Sequence, residues 1–163
     1  MRRRWHSLKR RAFRTVERRL VNPLNRRAVL AGRLGNTYAV LETTGRRTGL
    51  TRRIPVANGL EGDTFWLISA HGPHAHYFQN LLSQPRVRIG LAQAGGLRWR
   101  RGTAHPMYDD DARARHRELG RGRLGYRLDG ILLRSAATQL TTVRIDLERQ
   151  AAPSPPPPST SEP

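Results

Sequence analysis

The chain has 163 residues, enough for one domain with a hydrophobic core. It contains no cysteine, which excludes disulfide bonds and thiolate chemistry, and its 30 basic and 12 acidic residues give a formal net charge of +18. Because such a charge attracts nucleic acid, acidic lipid and phosphorylated cofactors alike, it does not by itself select a partner.

Residues 1–20 predict a basic amphipathic arm, with nine basic residues and one acidic residue. Its apolar residues recur at steps of three and four, which places them on one helical face: Trp5, Leu8, Ala12, Val16 and Leu20. We expect peripheral contact with an anionic membrane surface; a helix docked on its own domain, a solvated arm or an organellar transit peptide are the alternatives. No segment is apolar and long enough to span a membrane or to act as a secretory signal, so we expect a cytoplasmic protein.

The rest of the chain predicts one strand-rich domain over residues 21–149 and a disordered, proline-rich tail over residues 150–163. A short helix is expected over 24–33, after Asn22-Pro23. Strands are predicted over 37–43, 53–57, 64–69, 86–91, 97–104 and 143–148, and helices over 76–83 and 109–119. Since tight turns join most strands, we expect an α+β fold with a six-stranded, mainly antiparallel barrel and a few short helices.

The segment over residues 41–53 is the strongest candidate for a binding site. It runs from one strand to the next through a turn bracketed by Gly45 and Gly49, and it holds four arginines and three threonines within ten positions. Turn N–H groups, hydroxyls and guanidinium groups suit a phosphate or a carboxylate, and only Glu42 opposes the positive charge. The segment lacks the Gly-Lys-Ser/Thr of a nucleotide P-loop. A solvated hairpin in an arginine-rich protein is the alternative.

Two other polar segments invite metal hypotheses that we do not favour. His71, His74 and His76 have no carboxylate or cysteine beside them, and Pro73 separates the first two, so we predict no metal site there. The three acids over 109–111 fit the capped start of a helix better than a cation site. No catalytic triad or carboxylate pair occurs in the sequence, so an enzyme of this kind would depend on a cofactor for its chemistry.

The residues from Glu42 to Gly49, with Arg52 and Pro55, resemble the signature of the deazaflavin-dependent nitroreductase family. Further matching positions follow in order: Trp66 to Ser69, His71-Gly72, Asn80-Leu81, Pro85 to Val87, Trp99, Gly102 to His105, and Asp109 to Asp111. The resemblance implies a split β-barrel that binds reduced coenzyme F-420, whose phosphodiester and polyglutamate tail are anionic. FMN is the alternative cofactor.

The resemblance also implies a set of cofactor-binding residues, and no catalytic residue is assigned. The set consists of Thr44, Gly45, Arg46, Arg47, Thr48, Gly49, Arg52, Pro55, Ser69, Ala70, His71 and Asn80. The three arginines would hold the phosphate and tail, and the loop that begins at Ser69 would lie near the cofactor. Two positions depart from the family pattern: Ala70 stands where relatives often carry lysine, and Tyr77 where they commonly carry tryptophan.

The function that follows is hydride transfer from reduced F-420 to an electron-poor small molecule such as a quinone, an enone or a nitro compound. Two alternatives remain open at this stage. One is a basic RNA-binding protein in which Phe65, Trp66 or Trp99 stacks on bases. The other is a barrel that binds deazaflavin or flavin without catalysis. The sequence leaves the oligomeric state open.

Overall fold

The computed structural model describes residues 27–28, 30–33, 35–121 and 139–149. The predicted arm over residues 1–20 and the predicted tail over 150–163 lie outside the described residues. The helix predicted over 24–33 falls only partly within them, and there the amide of Ala31 donates to the carbonyl of Arg27 over 2.9 Å. That i to i+4 bond is the one expected of an α-helical turn.

Seven strands form a single antiparallel sheet in the order β2-β1-β5-β6-β7-β4-β3. Their bounds are β1 Tyr38–Thr44, β2 Thr51–Ala57, β3 Leu60–Glu61, β4 Thr64–Ser69, β5 Arg86–Gln93, β6 Gly96–Met107 and β7 Thr141–Leu147. The predicted number of strands, six, is wrong because it omits the short β3. In β3, Leu60 lies opposite Phe65 of β4. Asn58, Gly59 and Gly62 surround β3, and their turn chemistry hides a two-residue strand from sequence analysis.

The connection between β2 and β3 requires the sheet to curl. These two strands stand at opposite ends of the strand order, yet only Asn58 and Gly59 join them. In a flat sheet the two end strands would be about 29 Å apart, whereas the steps from Ala57 to Leu60 can span at most about 11 Å. The sheet therefore bends until its ends meet, which gives the predicted split β-barrel of the α+β class.

Within the described ranges, two α-helices lie between strands. Helix α1, His76–Ser83, has the predicted bounds, and the amide of Gln84 closes its last turn on the carbonyl of Asn80 at 2.8 Å. Helix α2, Ala112–Leu119, begins three residues later than predicted. The Asp111 carboxylate accepts hydrogen bonds from the amides of Arg113 and Ala114, so this residue is the N-cap and lies outside the helix.

The core lies on the concave face of the sheet. Alternate residues of the long strands point into it, including Leu41, Phe65, Ile89 and Ile145, which are fully buried. Helix α1 adds Phe78 and Leu81, which are three residues apart and therefore on one helical face. This packing fixes α1 against the inner face of the barrel, beside the ends of β1 and β4.

Candidate functional site

The turn between β1 and β2 is closed by hydrogen bonds of its own main chain. The amide of Gly45 donates to the carbonyl of Leu50 at 2.8 Å, and the carbonyl of Gly45 accepts from the amides of Gly49 at 2.7 Å and Thr48 at 3.2 Å. A Cβ at Gly45 would lie 3.1 Å from the Leu50 carbonyl oxygen, and Gly49 has a φ of +66°. Each glycine therefore has a physical reason to be in the turn.

The side chain of Asn80, on α1, forms hydrogen bonds with the turn and with the end of β1. Its side-chain oxygen Oδ1 accepts from the main-chain amide of Arg46 at 3.2 Å and from Arg46 Nη1 at 3.5 Å. Its Nδ2 donates to Thr43 Oγ1 at 3.2 Å. Asn80 is only 6% exposed, so these bonds form in a protected environment. The structure thus brings the predicted turn together with the predicted residue Asn80, which lies 34 positions further along the chain from Arg46.

The arginines of this segment separate onto different faces of the sheet. Arg52 lies opposite Thr43 on β1, and its Nε is 3.6 Å from the point that a Gly45 Cβ would occupy. Arg53, the next residue, therefore points to the other face. Within the described part of the chain, the guanidinium groups of Arg47 and Arg52 make no hydrogen bond or ion pair, and both side chains belong to exposed residues.

Glu42 is the only acid in the segment, and its side chain is occupied on the outer face. One carboxylate oxygen accepts from Arg53 Nε at 2.7 Å, and the other accepts from Arg88 Nη1 at 3.1 Å. Because strand residues alternate, Glu42 points away from the face that carries Thr43 and Arg52. Its negative charge is thereby directed away from the predicted anion site.

The loop after β4 contains the second predicted segment. Ser69, the last residue of β4, is fully buried, and its hydroxyl accepts a hydrogen bond from the Tyr77 hydroxyl of α1 at 2.8 Å. Gly72 is buried with a φ of +45°, and a Cβ there would be 2.7 Å from Thr141 Oγ1. The carbonyl of Ala70 accepts from the amide of Gln139 at 3.4 Å. The loop therefore packs closely against the start of β7.

Helix α1 stands between the two predicted segments. Tyr77 and Asn80 are three residues apart and so share a helical face, from which Tyr77 contacts Ser69 and Asn80 contacts the turn. Pro55 does not join this group, because it lies opposite Val40, on the sheet face that carries Glu42. Tyr77 was not among the predicted site residues, although its spacing from Asn80 was a usable signal.

The remaining predicted residues lie in these same two segments. Thr44 ends β1 and is partly buried, and Thr48 Oγ1 accepts from the amide of Leu50 at 3.3 Å inside the turn. His71 is also partly buried, and its carbonyl accepts from the amide of His74 at 3.0 Å, which starts a 3₁₀ turn at Gly72–His74.

The aromatic residues of the RNA-binding alternative are all engaged within the protein. Phe65 is fully buried. The guanidinium groups of Arg53 and Arg88 lie over the Trp99 ring, 4.9 and 5.0 Å from its centre. The guanidinium group of Arg115, on α2, lies 4.3 Å from the centre of the Trp66 ring. Such cation–π contacts cover the ring faces on which bases would stack.

The acids before α2 have a structural role. Asp110 accepts from Thr142 Oγ1 at 2.6 Å and from Arg115 Nη2 at 3.1 Å. Burial acts to raise the pKa of Asp110, but the hydrogen bonds from Thr142 and Arg115 and the charge of Arg115 outweigh it, so this pKa is lowered. Among the described residues, no group of three or more His, Cys, Asp or Glu side chains is arranged to hold a metal ion.

Solved structures with the same curled sheet define the class of fold. An F420-H2-dependent reductase, FDR-A, is 16% identical and aligns with a TM-score of 0.52 over 68% of this chain and 95% of its own. An F420 reductase is 13% identical, with a TM-score of 0.51 over 75% and 92% of the two chains. HutZ, the heme storage protein of Vibrio cholerae, is 18% identical, with a TM-score of 0.51 over 73% and 87%. Because these folds serve different ligands, the likeness establishes the split barrel alone.

Family membership identifies the enzyme class. The model of the F420H(2)-dependent quinone reductase family matches residues 13–129. The chain belongs to this family, which confirms the predicted deazaflavin-dependent oxidoreductase and its cofactor, coenzyme F-420. No curated protein matches the chain. None of the described helices has the length and apolar character needed to cross a membrane.

Proposed function

We propose that this oxidoreductase passes the hydride of reduced F-420 to a quinone. The proposed site places the phosphodiester and tail of the cofactor at the turn over residues 44–49 and Arg52, and the ring system near Ser69, Ala70 and His71. The quinone follows from the family's description, and an enone or a nitro compound would be an acceptor of related chemistry. A small-molecule substrate of this kind suits a reductase with one compact barrel.

The observation that carries this proposal is the pair of hydrogen bonds that Arg46 donates to the side chain of Asn80. It orders a turn whose other guanidinium groups, Arg47 and Arg52, have no acidic partner within the described residues. An ordered cationic turn loses little conformational entropy when an anion binds. Its neighbour Glu42, which could have neutralised it, is held on the opposite face by Arg53 and Arg88.

Within such a site the protein would orient and protect the reacting atoms. Bound F-420 would supply a hydride from its ring carbon 5, and the acceptor would also need a proton on its oxygen, which water or a pocket hydroxyl would deliver. The turn would hold the cofactor by its anionic end. The buried end of β4 at Ser69, held by Tyr77 of α1, would form a wall that excludes water from the ring end of the site.

Acceptor choice is tested by mixing the protein anaerobically with reduced F-420 and one acceptor at a time. Return of the oxidised cofactor's absorbance reports hydride transfer. We expect a soluble naphthoquinone to be reduced faster than a nitroimidazole or a cyclohexenone. Faster reduction of either of the other two would reject the quinone, and binding without turnover of any acceptor would favour the non-catalytic barrel. A parallel titration with FMN should show weaker binding, because FMN lacks the polyglutamate tail.

The charge of residues 1–20 supports a further proposal about location. We propose a cytoplasmic protein whose basic arm touches an anionic membrane, where lipophilic quinones reside. Sedimentation with phosphatidylglycerol vesicles should carry down the full chain but not a variant that lacks residues 1–20. Equal sedimentation of both proteins would reject the role of the arm.

A further inference from the structure

The face of α1 that carries Tyr77 and Asn80 contacts both halves of the proposed cofactor site. Asn80 reaches Arg46 and Thr43 at the turn, and Tyr77 reaches Ser69 at the end of β4. Neither side chain is exposed: Asn80 is buried and Tyr77 is partly buried against the core. The two residues therefore contact the protein rather than present themselves to solvent.

The hydrogen-bonding capacity of Asn80 is largely spent inside the protein. The carbonyl oxygen of an amide has two lone pairs, and Oδ1 of Asn80 receives two N–H groups of Arg46. One of the two N–H groups on its amide nitrogen goes to Thr43. The hydrogen bonds of Asn80 therefore favour an action through Arg46 over the predicted direct contact with the cofactor.

Tyr77 stands in a similar relation to Ser69. Among the described residues, the bond from Tyr77 is the only side-chain hydrogen bond of Ser69. Because Ser69 is fully buried, this bond ties the end of β4 to α1 and does not present the hydroxyl to a ligand.

We propose that Tyr77 and Asn80 are positioning residues through which α1 sets the two ends of the cofactor site separately. Asn80 holds Arg46 for the anionic end, and Tyr77, through the buried Ser69 hydroxyl, holds the end of β4 and the loop that follows it for the ring end. This inference rests on the proposed function. It assigns Tyr77 a role that was not predicted, and it makes the effect of Asn80 on the cofactor an indirect one, through Arg46.

Two ligands separate the two ends: complete F-420, and its chromophore with the ribityl chain alone, which lacks the phosphodiester and the glutamates. Asn80→Ala should weaken binding of F-420 about tenfold, the loss expected when a charge-assisted contact is misplaced, and leave the chromophore within about twofold. Tyr77→Phe should weaken both ligands by one common factor of about threefold to tenfold, as for a single lost hydrogen bond. The readout is fluorescence titration at fixed salt.

Control variants exclude a general loss of structure. Gln79→Ala lies between the two residues on α1, its side chain makes no hydrogen bond within the described residues, and it should change neither affinity. If Asn80→Ala does not fold, Thr43→Val is the substitute, because it removes the acceptor of the Asn80 amide. It should lower the ratio of the affinity for F-420 to the affinity for the chromophore by about threefold. In a Ser69→Ala background, Tyr77→Phe should have no further effect, because the tyrosine would act through a hydroxyl that is gone.

Some results would overturn the inference while leaving the proposed function intact. If Asn80→Ala weakens both ligands equally, or if the Tyr77 and Ser69 substitutions are additive, α1 does not set the two ends separately. If the unaltered protein binds neither ligand, the proposed function fails as well. A fall in the affinity ratio for Asn80→Ala together with an unchanged ratio for Tyr77→Phe supports the inference.

Discussion

At the scale of single residues, Gly72 shows how a backbone requirement and a packing requirement combine. Its φ of +45° is unfavourable for a residue with a Cβ, and that Cβ would approach Thr141 Oγ1 to 2.7 Å. Gly72→Ala should therefore lower the free energy of unfolding by about 2–3 kcal/mol, measured by urea denaturation.

Gly95→Ala is the matched control for Gly72. Gly95 also has a positive φ, +85°, but a Cβ there meets no atom within 4 Å. Its substitution should lower the free energy of unfolding by only about 1 kcal/mol. Equal losses at the two positions would show that strain alone, and not the contact with Thr141, fixes the glycine.

Residue chemistry was predictable from the sequence where it depends on local composition. The arginines and glycines over residues 44–52 were recognisable because an anion-binding turn needs them close together in the chain. The bond from Arg46 to Asn80 joins residues 34 positions apart and depends on how α1 packs, which no local pattern encodes. Pro55 was included by resemblance, and only the strand register shows that it faces away from Arg52.

At the scale of elements, Glu42 ties three strands together. It sits on β1 and binds Arg53 of β2 and Arg88 of β5. Glu42→Gln should lower the free energy of unfolding by about 1 kcal/mol, because the carboxylate is buried while both arginines are half-exposed and screened by water. Glu148→Gln, an exposed glutamate beyond β7, should change stability far less; equal effects would contradict the role of Glu42.

Helix α2 is held to the sheet by Asp110, whose lowered pKa gives its contribution a defined pH dependence. A lowered folded-state pKa means that the stabilisation is present above the ordinary aspartate pKa and is lost as pH falls through the folded value. Asp110→Asn should therefore lower the free energy of unfolding at pH 7. The difference in this free energy between the variant and the unaltered protein should shrink as the pH falls below the ordinary aspartate pKa.

Urea denaturation at neutral and acid pH measures this difference. Asp109→Asn is the control, since Asp109 is exposed and makes no side-chain hydrogen bond within the described residues. A stability gap for Asp110→Asn that stays constant across the pH range would contradict the assignment.

Elements with strong local patterns were predicted well. Helix α1 and strand β4 have the predicted bounds, because a proline or a turn delimits each of them. Strands β2 and β6 extend further than predicted, since their end residues pair with neighbouring strands that the sequence does not identify. The two-residue β3 exists only because β4 lies beside it.

At the scale of the whole molecule, a net charge of +18 offers a competing explanation for any anion binding. Diffuse attraction depends on the total charge and is screened by salt, whereas a built site depends on particular residues. Arg86 provides the comparison with Arg46. It is exposed on the outer face of β5, on the same side as Glu42, and its side chain has no partner within the described residues.

The central claim is that the turn held by Asn80 binds the anionic end of F-420, and fluorescence titration of Arg46→Ala and Arg86→Ala with F-420 tests it most directly. At moderate salt, Arg46→Ala should lose about tenfold in affinity or more, as for a charge-assisted contact, while Arg86→Ala should stay within about twofold of the unaltered protein. The difference should persist at high salt. Equal losses for both variants, or losses that vanish as salt is added, would contradict the account.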